Sequence, residues 1–303
     1  MTHRERFMAA LHGEPVDHAP VFPLLMFLAA DRGGITYREL ATNGQAMADA
    51  QLTVQQRFGL DAITACSDAF RLTADLGGDM VYPEDRPPHL ARPLITSAAD
   101  LAKLGRPDPS AAGSRMADRA RGVEAMVKGS GGAVAVLGWV DMPFAEACSC
   151  CGVSEFMMLL ADDPAGAHRI LDFITEIVID FALLQVEAGA DMIGAGDAAA
   201  SLISAPMYRE FALPYEQRVC AAIHHAGNLV KLHICGNTSS LLDDMVTSGA
   251  DLFNVDHLVP LEKAKAVYAG QGKCFKGNID PVSGIMQASP EECRANVRRC
   301  LEI

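Results

Sequence analysis

The sequence predicts an α/β fold, a (β/α)8 TIM barrel that stops before its C-terminal eighth strand and helix. From about residue 130 onward, short apolar runs alternate with long amphipathic segments. The apolar runs are nearly continuous, which is typical of parallel strands covered on both faces. The chain has 303 residues, a length that α/β barrels commonly reach as one domain.

Seven segments are predicted to be strands, because each is a short apolar run bounded by turn residues. In chain order they are Val21–Leu28, Ala62–Cys66, Ala133–Leu137, Ala190–Ala195, Leu229–Ile234, Leu252–Val255 and Cys274–Lys276. Strands that alternate with helices at this spacing form right-handed βαβ units, so we expect a parallel sheet.

The segments between the strands are predicted to be helices. The clearest helix begins at Asp162-Asp163-Pro164, where an acidic cap precedes a proline, and ends at Gly189. Between these points apolar residues recur every three to four positions. The remaining helices are predicted over residues 37–58, 154–160, 206–225, 239–248, 261–268 and 289–301.

Residues 72–129 are predicted to form an irregular insertion, because this stretch contains six prolines. We expect it to decorate a single barrel domain over residues 1–303. Seven βα units leave a closed barrel one strand short, so we also expect the natural chain to continue beyond Ile303. A doubly wound open sheet is the alternative fold, but no G-x-G-x-x-G turn follows the first strand.

The charge balance disfavours two classes of partner. The chain has 25 Lys and Arg against 38 Asp and Glu, a formal net charge of −13. Such a surface repels phosphate backbones and anionic lipids, so we expect neither nucleic-acid nor membrane binding. Nine cysteines without a secretion signal favour a reducing compartment, so a cytoplasmic enzyme is expected.

The segment Lys231-Leu232-His233-Ile234-Cys235-Gly236-Asn237 carries the strongest chemical signal. If the strand continues through it, His233 and Cys235 point to the same side at the barrel mouth. Imidazole and thiolate are zinc donors, and a catalytic zinc uses three protein ligands and one open position. Taken alone, the spacing favours a core histidine beside a small buried cysteine. Its place at a strand end, before a Gly-Asn turn, strengthens the metal interpretation.

Other polar residues follow neighbouring strands, where barrel enzymes place their chemistry. Asp197 and Asn278 are predicted to orient the substrate or to hydrogen-bond to His233, with helix capping or turn formation as the alternative. Asp256 is predicted to join them as a catalytic residue, and Asp256 or Asp197 is a candidate oxygen ligand. Asn237 and Asn254 are predicted to bind a cofactor.

Four motifs occur in an order and spacing that resembles the uroporphyrinogen decarboxylase superfamily. They are Gly196–Ser204, Tyr208–Tyr215, His233–Asn237 and Gly277–Pro281. The opening residues 4–7 and 15–21 are similar as well, so the resemblance covers nearly the whole chain. The H-x-C-G pattern is similar to the zinc-dependent branch of methylcobamide:coenzyme M and corrinoid methyltransferases. The true decarboxylases carry Arg-Gln-Ala-Gly-Arg-Tyr after the first strand, and residues 25–32 lack that segment.

The resemblance implies a zinc-dependent methyltransferase. The methyl group would move between a corrinoid (methylcobamide) on a partner protein and a thiol or methyl-ether substrate. The zinc would be held by His233, Cys235 and a second cysteine after the eighth strand, for which residues 1–303 have no counterpart. The alternatives are a decarboxylase-like lyase acting on a cyclic tetrapyrrole, and a non-catalytic barrel that binds a corrinoid.

Overall fold

The computed structural model describes residues 1–303. The eight strands are β1 (Ala62–Thr64), β2 (Met80–Val81), β3 (His89–Leu90), β4 (Ala135–Asp141), β5 (Met192–Gly196), β6 (Leu229–His233), β7 (Leu252–Asn254) and β8 (Cys274–Lys276). Six of them form a parallel sheet in the order β1-β4-β5-β6-β7-β8, while β2 and β3 form a separate antiparallel pair. This curled α/β sheet is consistent with an incomplete barrel, and a full set of eight barrel strands is not present.

Helices connect the strands and cover the outer face of the sheet. The α-helices are His3–Leu11, Phe27–Gly33, Tyr37–Thr42, Gly44–Phe58, Arg71–Asp75, Arg115–Ser130, Pro143–Cys151, Val153–Asp162, Pro164–Glu187, Ala205–Phe211, Leu213–His225, Leu242–Met245, Leu261–Gly270 and Pro290–Glu302. Two 3-10 segments, Ala98–Lys103 and Ala198–Leu202, and a π-helical turn, Val282–Met286, complete the secondary structure.

The predicted first strand, Val21–Leu28, is not a strand, although the other six predicted strands are confirmed. Its chain is irregular up to the helix Phe27–Gly33. Pro20 and Pro23 have no backbone N–H, so a continuous ladder is impossible there. The segment instead lies between the two ends of the sheet: Val21 exchanges hydrogen bonds with Asp61 beside β1, and Lys276 of β8 donates to the Phe22 carbonyl.

The segment predicted to be an irregular insertion, residues 72–129, contains most of a regular 16-residue helix, Arg115–Ser130. Ser114 caps this helix by accepting a hydrogen bond from the Ala117 N–H at 3.0 Å. The helix precedes β4, so the connection from β1 to β4 is a helical crossover that begins with a long, mostly irregular stretch. The prediction of irregular structure is wrong for residues 115–129.

Strand residues alternate between the inside of the curled sheet and the helices outside it. Ala135 and Leu137 of β4 pack in an inner cluster with Phe7, whereas Val136 and Val140 belong to the larger core beneath the helices. Phe7 comes from the N-terminal helix His3–Leu11, which thereby closes the end of the sheet where the strands begin. This plug leaves the opposite end, where the strands finish, as the open face.

The single tryptophan, Trp139, fills the interior beside two glycines of β5. A Cβ on Gly194 would lie 2.6 Å from Trp139 Cε3, and one on Gly196 would lie 3.0 Å from Trp139 Cζ2. Real Cβ atoms do not approach other heavy atoms at 2.6 Å, so the indole occupies the space that a side chain at Gly194 would need.

No single helix combines the length and the apolar composition needed to cross a membrane. Two consecutive helices, Pro143–Cys151 and Val153–Asp162, reach that length only together, and they are bent by 107° relative to each other.

We expect Gly194→Ala to lower the free energy of unfolding by about 1–3 kcal/mol, because the new methyl group must displace the indole of Trp139. Urea unfolding followed by Trp139 fluorescence measures the change. Gly105→Ala is the matched control, since a Cβ at Gly105 meets no atom within 4 Å. Equal stability of the two variants would contradict the proposed packing.

Candidate active site

The register of the parallel sheet aligns one row of side chains on five neighbouring strands. Asp141, Gly196, His233, Asn254 and Lys276 are successive Cα partners from β4 to β8. We call them the upper row, because they lie at or next to the ends of their strands. The row brings His233 and Asn254, both predicted to be functional, into direct contact.

A second row lies two residues earlier on the same strands. It consists of Trp139, Gly194, Lys231, Leu252 and Cys274, again as successive partners. Side chains two apart on a strand share a face, so this lower row points to the same interior as the upper row. Leu252 and Cys274 pack in the inner cluster with Phe7, which confirms the direction.

His233 is held by Asn254. The His233 Nδ1 atom lies 2.9 Å from Asn254 Nδ2, while the buried Asn254 Oδ1 has no partner. Rotating the Asn254 amide by 180° exchanges its Oδ1 and Nδ2 atoms. Oδ1 then accepts a hydrogen bond from His233 Nδ1–H, and His233 Nε2 keeps a free lone pair. Burial and the nearby charges of Lys231 and Lys276 lower the pKa of His233 to about 4, so its imidazole is neutral at physiological pH.

Cys235 lies just beyond β6 and is exposed at the open face. The turn that presents it is fixed by Asp256, whose two carboxylate oxygens accept hydrogen bonds from the Gly236 and Leu258 N–H groups at 2.9 Å. Desolvation raises the pKa of the Cys235 thiol, so without a cation it stays protonated near neutral pH. Asp256 therefore acts here by positioning the Cys235 loop.

The donor set fits a catalytic zinc only in part. His233 and Cys235 offer one imidazole and one thiol at the same end of β6, which are zinc donors. Nowhere in residues 1–303 do three His, Cys, Asp or Glu side chains converge on a position suited to a metal ion. The third protein ligand that catalytic zinc sites use is therefore not among these residues.

The two remaining asparagines of the predicted site are engaged in turns. The Asn278 side chain donates to the carbonyls of Val259 at 2.6 Å and Asp256 at 3.3 Å, which ties the loop after β8 to the loop after β7. The exposed Asn237 accepts a hydrogen bond from the Ser239 N–H at 3.1 Å. Both lie at the open face; Asn278 joins two distant loops, which is neither of the alternatives that the sequence predicted for it, a hydrogen bond to His233 or a local turn.

Asp197 lies apart from the interior rows. Its position follows Gly196, so its side chain points into the layer between sheet and helices, where it is fully buried. One oxygen accepts a hydrogen bond from the Ala145 N–H at 2.9 Å, while Oδ2 has no partner; burial and the neighbouring Glu216 carboxyl raise the pKa of Asp197. Two carboxyl groups in such contact must hold a proton, and burial raises the pKa of Glu216 to about 7.

Three interior residues were missed as site residues by the sequence reasoning: Lys231, Lys276 and Asp141. Asp141 accepts a hydrogen bond from the buried Arg71 at 2.6 Å, and burial raises its pKa to about 6. The available signal was the period of two, which places Lys231 on the same face as His233. The sequence alone therefore shows that Lys231 is a charged residue within an apolar strand segment, on the same face as His233.

The cysteines Cys148, Cys150 and Cys151 are buried in the helix Pro143–Cys151. Desolvation raises the pKa of each thiol, which makes all three poor nucleophiles at neutral pH. They pack in the core that lies beneath the helices.

A family profile described as uroporphyrinogen decarboxylase (URO-D) matches residues 2–303. The chain belongs to the uroporphyrinogen decarboxylase family. A curated family member named uroporphyrinogen decarboxylase from Xanthomonas axonopodis pv. citri is 28% identical, over 100% of this chain and 88% of its own length. Another of that name from Myxococcus xanthus is also 28% identical, over 92% of this chain and 81% of its own length.

Among solved structures, a methyltransferase from Methanosarcina mazei superimposes with a TM-score of 0.85 at 26% identity. The match covers 100% of this chain and 90% of the methyltransferase. A B12-independent methionine synthase from Shewanella superimposes with a TM-score of 0.55 at 14% identity, which shows a shared fold alone. This uroporphyrinogen decarboxylase family member is therefore an enzyme of a superfamily that includes both decarboxylases and methyltransferases.

We expect Glu216→Gln to flatten the dependence of stability on pH. The folded pKa of Glu216, about 7, exceeds its ordinary value of 4.5, so the folded state retains a proton that the unfolded state releases. The free energy of unfolding of the wild type therefore falls as pH rises between these values. A glutamine keeps hydrogen-bonding groups toward Tyr208 and Asp197 but does not titrate.

Urea unfolding at about pH 5 and about pH 7.5 tests this, with a change in slope of at most about 1.4 kcal/mol per pH unit. Glu124→Gln, at an exposed position, is the matched control. Parallel pH profiles for the wild type and Glu216→Gln would show that Glu216 does not retain a proton in the folded state.

Proposed function

We propose that this protein is a zinc-dependent methyltransferase that moves a methyl group between a corrinoid carried by a partner protein and a thiol or methyl-ether substrate. The observation that carries the proposal is the pairing of an imidazole and a thiol, His233 and Cys235, at the open end of β6. It is supported by the superposition of the entire chain on a methyltransferase at a TM-score of 0.85.

His233 and Cys235 are the residues of this chain that would hold the zinc. A neutral imidazole and an exposed thiol suit that role, because protons must leave the donors when a metal binds. Zinc, when bound, lowers the pKa of a coordinated thiol and so supplies a thiolate nucleophile near neutral pH. A third protein ligand is not among the described residues, so the proposal requires one more donor.

The surrounding residues position these two donors. Asn254 hydrogen-bonds to His233 and, through its turned amide, would fix the tautomer that leaves Nε2 available. Asp256 fixes the backbone at Gly236 next to Cys235. Asn278 joins the loops after β7 and β8, which keeps Asp256 in place. These contacts give the open face a fixed geometry before any substrate arrives.

A decarboxylase-like lyase acting on a cyclic tetrapyrrole is the second candidate, and the names of the curated relatives at 28% identity favour it. The segment that carries arginines in the true decarboxylases corresponds here to residues 25–32, which end in Arg32. That arginine is exposed on the helix Phe27–Gly33. The absence of the Arg-Gln-Ala-Gly-Arg-Tyr segment favours the methyltransferase.

We expect Cys235→Ala to lower the zinc content and to lower the rate of methyl transfer by more than about 100-fold. That is the largest loss usual for a residue that only hydrogen-bonds to a metal ligand. The transfer is measured as demethylation of methylcobalamin in the presence of a thiol, and zinc by elemental analysis. Cys300→Ala, on the last helix, is the matched control and should retain both the rate and the zinc.

Three outcomes would contradict the proposal: wild-type protein free of zinc after expression with added zinc, full methyl transfer by Cys235→Ala, or consumption of uroporphyrinogen by the wild type. The last outcome would establish the lyase instead. Tight binding of a corrinoid without turnover of any thiol or methyl ether would point to a non-catalytic barrel.

A further inference from the structure

Two lysines inside the curled sheet have no acidic partner. Lys231 on β6 is only 1% exposed, and Lys276 on β8 is partly buried. The lysines that form ion pairs in this protein are Lys103 and Lys273, each with an aspartate. An ammonium group taken out of water without a counter-ion is unfavourable, so an unpaired buried pair requires a reason.

The contacts of the two ammonium groups are with neutral groups. Lys231 Nζ lies 5.0 Å from the centroid of the Trp139 ring and forms no hydrogen bond. Lys276 Nζ donates to the Phe22 carbonyl at 2.5 Å and lies 3.8 Å from the centroid of the Phe22 ring. Aromatic faces and one carbonyl stabilise a cation partly, but they leave most N–H donors of both groups free.

The acidic groups nearest the interior already have ion-pair or hydrogen-bond partners. Asp141 is paired with Arg71 at 2.6 Å, and both oxygens of Asp256 accept backbone hydrogen bonds. Cys66, at the end of β1, is a neutral thiol, because burial raises its pKa to about 12. The interior therefore holds two lysines without a counter-ion. Burial lowers the pKa of both, that of Lys231 to about 8, and a bound anion would favour their charged forms.

The register brings the two lysines to the same part of the interior as His233. Lys276 follows Asn254 and His233 along the upper row, and Lys231 stands two residues before His233 on β6. The two charges are close enough that Lys231 contributes, after desolvation, to a strongly lowered pKa of Lys276. Two lysines without an acidic partner, on the strands to either side of β7 and in the rows that contain His233, offer N–H donors that an anion could accept from.

We propose that Lys231 and Lys276 bind an oxyanion group of the substrate, a carboxylate, sulfonate or phosphate, inside the barrel below His233. As a substrate subsite this inference rests on the proposed function, because it holds the acidic end of a molecule whose other end reacts near His233 and Cys235. As an oxyanion site it can be tested without turnover.

The test is calorimetric titration of the full chain with acetate, methanesulfonate or inorganic phosphate, at constant ionic strength, with acetamide as the neutral analogue. We expect one of the oxyanions to bind and acetamide not to bind. Lys231→Met and Lys276→Met should each weaken binding by about 10-fold or more, the loss of one charge-assisted contact. The control is Lys128→Met, at an exposed lysine on the helix Arg115–Ser130, which should bind the oxyanion as tightly as the wild type does. The oxyanion that binds most tightly identifies the substrate class.

Equal affinity of the wild type and both interior variants, or no preference over acetamide, overturns the proposal. If a variant fails to fold, crystals of the wild type soaked in selenate decide the question, because anomalous scattering locates selenium. Selenium in contact with both ammonium groups supports the site, and selenium found only elsewhere overturns it. Oxyanion binding by these lysines without methyl transfer would refute the proposed function alone.

Discussion

The structure depends on one constraint, the enclosure of every second strand residue by a curled parallel sheet. The sheet has helices outside and the N-terminal helix His3–Leu11 beneath it, so an inward side chain has no access to bulk water except at the open face. An apolar residue there adds to the core, as Leu137 does. A polar residue there must find a partner in the interior or serve a ligand.

Three buried ion pairs join distant segments of this protein. Arg6 pairs with Asp61 at 2.6 Å, Arg71 with Asp141 at 2.6 Å, and Arg115 with Asp68 at 2.8 Å. Each pair joins segments far apart in the chain, so the pairs fix how the N-terminal region and the first crossover sit against the sheet. The lysines of β6 and β8 form no such ion pair, unlike Lys103 and Lys273.

The relatives of this chain are named for two different reactions. A decarboxylase relative aligns with this chain over its whole length, and the methyltransferase superimposes on all of it. A shared fold does not specify a shared reaction, which is set by the few side chains at the open face and inside the sheet. In this chain the candidates are an imidazole, a thiol, three asparagines and two lysines without an acidic partner.

The sequence alone determined the features that depend on neighbouring residues. Strand and helix periods placed six of the seven predicted strands, because backbone geometry fixes which residues share a face. The same period predicted that His233 and Cys235 point to one side, but β6 ends at His233, so that pairing stays a prediction. The tertiary structure decided what depends on segments distant in the chain. Val21–Leu28 bridges β1 and β8 and does not form a strand, since Pro23 has no N–H to donate to a ladder. Lys231 and Lys276 came together only through the register of three strands, and Asp197 found Glu216 only through helix packing. Local periodicity does not predict which residue lies near Lys276 or near Asp197, because these neighbours are set by sheet register and by packing against the helices.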